Sequence, residues 1–202
     1  MGWLSLALAC TLGSGGQAMK TNEALSLAEI AQNEAARQWS LPPQEIHASP
    51  SAQPLPEGLT LVRVRQKTAE RSRRTPKSSV GLVNNGRFLM SWTDCTQALL
   101  KAWNYGAHRT VSAEEFATVT DQFHNRFADS PVVLENPNSE QFPLLVPPLE
   151  TEVDGLPAVV YWVNSTPEIG NYGRQYSRLT VIVGEDHEPI LRTERYHDIA
   201  EP

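Results

Sequence analysis

The side chain with most scope for covalent chemistry in this sequence is a cysteine. Cys95 lies in Trp92-Thr93-Asp94-Cys95-Thr96, at the start of an expected helix. There the unpaired amides and the helix dipole favour a thiolate, which is the reactive form. Asp94 opposes this by setting a negative charge beside the sulfur. A thiolate nucleophile also needs a base, for which His108, His124, His187 and His197 are the candidates. His187 is preferred, because it follows a strand expected over 179–183. The competing reading, which carries more weight, makes Cys95 a small buried hydrophobe that packs the start of the helix.

The run Asp94-Cys95-Thr96, followed by Leu99, Trp103, Gly106 and Arg109-Thr110, resembles the nucleophile helix of the NlpC-type murein endopeptidases. That resemblance spans about twenty residues and implies a papain-like peptidase acting on cell-wall peptides, with Cys95 as nucleophile. Gln97 stands where the family has glycine, and no His-Val-Gly-Ile strand follows.

Binding chemistry has two candidate segments. From Arg63 to Lys77, seven basic residues (Arg63, Arg65, Lys67, Arg71, Arg73, Arg74 and Lys77) face Glu70 alone, for a formal charge of +6. The whole chain is −6, so everything outside that segment sums to −12. A basic loop on an acidic protein suits an anionic macromolecular partner, or the protein's own acidic surface. No aromatic residue interleaves with these charges, so the stacking platform of single-strand binders is missing and nucleic acid is disfavoured. The second segment, 164–176, holds Gly170, Tyr172, Gly173 and Tyr176 between two expected strands, and long loops on rigid sheets often bind. No His pair at i, i+4, phosphate loop, dinucleotide fingerprint or Gly-x-Ser-x-Gly elbow occurs, so the expectation is no metal and no cofactor.

The elements that must position these residues follow from periodicity and punctuation. Ser26-Leu27-Ala28-Glu29 is a capping box, and Ala24, Leu27, Ala28, Ala31, Ala35 and Trp39 recur at helical spacing until Pro42-Pro43. The alanine-rich face predicts a helix lying close on a sheet. Ser49 to Glu57 is proline-rich and reads as a linker or an extended edge. Leu59 to Gln66 alternates as a strand, and Asn84-Asn85-Gly86 predicts a tight hairpin between 80–83 and 87–90. A helix from near Thr93 through Leu99, Leu100 and Trp103 to Gly106 pairs with one that follows a second capping box, Ser112 to Glu115, and carries Phe116, Val119, Phe123 and Phe127. Strands are then expected at 132–134, 158–163, 179–183 and 190–196. Strands gathered after helices, without βαβ alternation, indicate an α+β fold: an N-terminal helix with a small antiparallel sheet, a helical pair, and a C-terminal antiparallel sheet. The division falls near Ser91, giving 19–91 and 92–202, or else one domain over 19–202.

Hydrophobic content of 40% with 20% charged residues is that of a globular rather than a disordered chain. Trp3 to Leu12 is apolar and uncharged, and Gly16-Gln17-Ala18 offers the small-x-small pattern of a cleavage site, so residues 1–18 read as a secretory signal. The run is shorter than a membrane span. Cleavage there removes Cys10 and leaves Cys95 without an intramolecular partner; a lipid tether at Cys10 is the alternative. The order of helix and sheet is similar to that of small exported modules of the PepSY or cystatin type, an analogy of fold that implies no activity. The expectation is therefore an exported, periplasmic or secreted, non-catalytic module that binds an envelope or extracellular macromolecule, with the thiol hydrolase as runner-up.

Overall fold

A computed structural model describes residues 25–67, 76–106, 111–124, 132–134, 145–164 and 175–197. The expected signal over 1–18, Cys10, Arg71, Arg73, Arg74, His108 and Tyr172 lie outside the described residues.

The capping box forms at Ser26: its Oγ accepts from the Glu29 N–H at 3.3 Å, while the Glu29 carboxylate accepts from the Ser26 N–H at 2.8 Å. Helix α1, Leu27–Trp39, runs from that cap to Ser40, whose φ of 54° turns the chain out of the helix ahead of the two prolines. Its buried alanines, Ala31, Ala35 and Ala36, rest on Ile46, Val62, Val64, Val83 and Phe88. These belong to a four-stranded antiparallel meander of β1 (Ile46–Pro50), β2 (Leu59–Gln66), β3 (Ser78–Asn84) and β4 (Arg87–Leu89), in that spatial order. The expected turn joins β3 to β4, with Asn84 opposite Arg87 and positive φ at both Asn85 and Gly86. Ser49 and Pro50, the first two residues of the segment read as a linker or extended edge, end strand β1, whose short length and Pro50 suit the edge position it takes.

The other face of this sheet supplies Leu61 and Leu82 to a second, larger core. Two helices fill that core: α2, Trp92–Ala102, capped by Ser91, and α3, Ala113–His124, whose Glu115 N–H donates to Ser112 Oγ at 3.1 Å. The second meander closes it from the far side, in the order β5 (Leu149–Val153), β6 (Leu156–Asn164), β7 (Gln175–Val183) and β8 (Pro189–His197). Its Val159, Tyr161, Val163, Leu179, Val181 and Val183 meet Leu99, Leu100, Phe116 and Val119. The layers therefore run α1, first sheet, helical pair, second sheet, and one core draws residues from both sides of Ser91.

The opposite face of β6 and β7 is buried too, through Ala158, Val160, Trp162, Thr180 and Ile182. Burial on both faces is why Leu156 to Val163 reads as a near-unbroken apolar run instead of alternating. The strand expected at 132–134 is reduced to one bridge, Val132 to Val163, with the Val133 N–H donating to the Trp162 carbonyl at 2.8 Å. No helix among the described residues is long and apolar enough to cross a membrane.

Candidate functional site

Cys95 sits in the fourth position of α2, where its own N–H is already bonded to the Ser91 carbonyl at 3.0 Å. Its side chain is fully buried and donates to the Leu89 carbonyl at 3.3 Å. Burial pushes the thiol up to about 12; the Leu82 backbone N–H, donating toward the sulfur, takes back part of the rise and the Asp94 charge adds to it. A shielded, protonated sulfur is a poor nucleophile. His187 lies in the short turn Glu185–His187 that precedes β8, and α2 reaches this turn through Gln97, whose Nε2 donates to the Asp186 carbonyl at 3.4 Å. Positions 95 and 97 are about 200° apart around a helix, so Cys95 faces Leu89 while Gln97 faces the turn. Neither His47 nor His187 hydrogen-bonds the sulfur.

The basic segment divides by use. Lys77 Nζ donates to the Trp39 carbonyl at 3.1 Å and so caps the carboxyl end of α1, a structural duty for a cation at a helix C-terminus. The Lys67 N–H donates to the Glu45 carbonyl at 2.7 Å, which ties the end of β2 to the turn before β1. Arg63 and Arg65 alternate with buried Val62 and Val64, so they emerge on the face of the first sheet that α1 leaves free. Both are exposed and make no ion pair among the described residues. Their cross-strand neighbours are Ser49 and Val80 for Arg63, and His47 and Ser78 for Arg65. His47 Nε2 and Ser49 Oγ share a hydrogen bond of 2.9 Å. Sequence reasoning missed His47, Ser49 and Ser78, because only the strand register sets them beside the arginines.

Comparison finds no family model, curated protein or solved structure that matches the chain. The assignment of a site therefore rests on the geometry itself.

Tyr176, expected in a loop, is a half-buried residue of β7 paired with Asn164 and Tyr196, so it is part of the sheet. An open groove of about 540 Å³ runs between α1 and β4, lined by Leu25, Ile30, Asn33, Glu34, Arg37 and Phe88 among others. Its Glu34 and Arg37 are bonded to each other at 2.5 Å, and that bond lowers the Glu34 pKa. Deep between α3 and the second sheet, Asp121 is only 7% exposed beside the fully buried Tyr161, whose hydroxyl lies 3.4 Å from Thr120 Oγ1. Burial raises the Asp121 carboxyl to about 7. Among the described residues no three His, Cys, Asp or Glu side chains converge as a metal site.

Proposed function

We propose that this protein is an exported, non-catalytic module of the cell envelope or extracellular space that binds an anionic macromolecule through the basic face of its first sheet. The observation that carries the reading is the pair Arg63 and Arg65: exposed, side by side on one rigid strand, and without a carboxylate partner among the described residues. Charged side chains at protein surfaces are usually scattered among opposite charges, and a pair that meets no carboxylate among the described residues is suited to an external anion. The reactive alternative draws no such support, since Cys95 is buried and held as a thiol.

The test is a pull-down from envelope and culture-medium fractions with the parent chain and with the charge-reversed Arg63→Glu/Arg65→Glu variant. Retention of an anionic partner by the parent, lost on reversal, is expected. An identical set of retained material for both chains would sink the reading. Mass spectrometry of the mature N-terminus checks export: a chain beginning at Met19 is expected, while an acylated Cys10 would replace the free module with a tethered one.

A further inference from the structure

The arginine pair belongs to an ordered arrangement whose geometry narrows the anion. Cross-strand pairing sets His47, Arg65 and Ser78 in one row, and Ser49, Arg63 and Val80 in the next. Successive same-face positions on a strand are about 6.7 Å apart, and neighbouring strands lie about 4.8 Å apart. Each guanidinium thus has a serine hydroxyl on an adjacent strand, and the two units repeat along β2. The core beneath α2 and α3 takes Leu61 and Leu82 from this face and reaches Val80, while His47, Ser49, Arg63, Arg65 and Ser78 remain exposed.

Resting on the anion-binding reading above, we infer that these two rows form a ladder for a linear polymer carrying phosphate esters at intervals of about 7 Å along β2. A carboxylate held by an arginine fork is coplanar with it, and its remaining lone pairs lie in that plane. A tetrahedral phosphodiester presents two non-bridging oxygens whose acceptor density surrounds each P–O axis, so an oxygen held by the fork still accepts from a neighbouring hydroxyl out of the guanidinium plane. Ser78 makes no other side-chain bond among the described residues. When His47 donates from Nε2 to Ser49 Oγ, the Ser49 hydroxyl hydrogen is free for the anion. The exposed members of this face are polar, and no large apolar side chain stands among them to enter a bilayer, which favours a flexible polymer over a lipid surface. Exposed aromatic side chains for stacking on sugars or bases are likewise missing from the two rows.

The full chain is titrated calorimetrically at fixed salt with poly(glycerol phosphate), with poly-glutamate of matched charge, and with vesicles containing anionic phospholipid. Three proteins are compared: the parent, Arg63→Lys/Arg65→Lys, and Ser49→Ala/Ser78→Ala, the last two preserving net charge. The phosphate polymer is expected to bind tightest. Loss of the two forks should weaken it about tenfold to a hundredfold, and loss of the two hydroxyls about three- to tenfold. Poly-glutamate binding should be indifferent to the serines. If poly-glutamate binds the parent equally well, or if both charge-preserving variants match the parent, the ladder is wrong while a basic anion-binding surface survives. Tighter binding to vesicles than to the polymer overturns the ladder in favour of a membrane. Failure to bind any of the three overturns both the ladder and the reading on which it rests.

Discussion

Gly81 lies directly beneath Leu89, so closely that a Cβ at position 81 would collide with the Leu89 carbonyl oxygen and come within 2.8 Å of the Phe88 ring. That same oxygen accepts the Cys95 thiol. The tight β3–β4 hairpin, its missing side chain and the start of α2 are therefore one packing unit. Cys95 is fixed by it as a core residue.

Gly81→Ala should accordingly be among the most damaging small substitutions in the chain. The obstacle is backbone, which cannot swing aside as a flexible side chain would, and overpacking of this kind costs about 1–3 kcal/mol or more. Chemical denaturation should show a lower midpoint for Gly81→Ala, whereas Gly58→Ala, at a positive φ in open space, meets only backbone strain. An unchanged midpoint for Gly81→Ala would mean that the hairpin can open away from Gly81.

Cys95 should resist alkylation. In the folded chain iodoacetamide is expected to leave it untouched from pH 5 to 9, and to react once the chain is unfolded. Its folded pKa is raised above the usual thiol value, so its contribution to stability is complete below about 9 and is lost as pH climbs from there toward about 12. Cys95→Ala should cost on the order of 1–2 kcal/mol through a small cavity and a lost hydrogen bond. Fast alkylation of folded protein at neutral pH would restore the nucleophile to consideration.

The residues that made these elements legible in the sequence are the ones that act locally. Ser26 and Glu29 cap α1, Asn85-Gly86 supplies two positive φ values, and β2 alternates because Val62 and Val64 face α1 while Arg63 and Arg65 face the other way. What stayed hidden depends on contacts distant in sequence. Only Ser49 and Pro50 of β1 fall in the proline-rich stretch read as a linker or extended edge, and the strand is defined by its pairing with β2. Asp154-Gly155, at φ values of 56° and 77°, is the same kind of turn signal as Asn85-Gly86, and it marks the β5–β6 hairpin, whose first strand is not among those expected from the sequence. The helix-start context of Cys95 argued for a thiolate, but burial against Leu89 outweighs the dipole, and burial is set by the β3–β4 hairpin. The basic run looked uniform in the sequence, yet Lys77 is spent on a helix end while Arg63 and Arg65 face solvent.

That division of labour among the basic residues is itself testable. Lys77→Gln removes a charge from the segment but also the bond to the Trp39 carbonyl. It should lower stability by up to about 1 kcal/mol while leaving anion binding near the parent value, as expected for a cation committed to a helix C-terminus. Arg63→Gln should do the reverse, weakening anion binding with little change in the unfolding midpoint. If both variants lose binding equally, the segment acts as an unstructured pool of charge.

Asp121 gives the fold a pH dependence opposite in sign to that of a salt-bridged carboxylate. Burial raises its folded pKa from 3.8 to about 7, so the folded state holds a proton that the unfolded state releases at far lower pH. Stability from this group is therefore greatest below about pH 4, declines as pH rises, and levels off above about 7. A shift of that size corresponds to a few kcal/mol, on the order of 1.4 per pKa unit. The neutral isostere Asp121→Asn should remove most of the decline, and should make the protein more stable than the parent at pH 8 but not at pH 4. Thermal melts of the two proteins across pH 4 to 8 check this. Parallel curves would show that Asp121 ionises at an ordinary carboxylate pH in the folded state, with solvent or a charge partner reaching it between α3 and the second sheet.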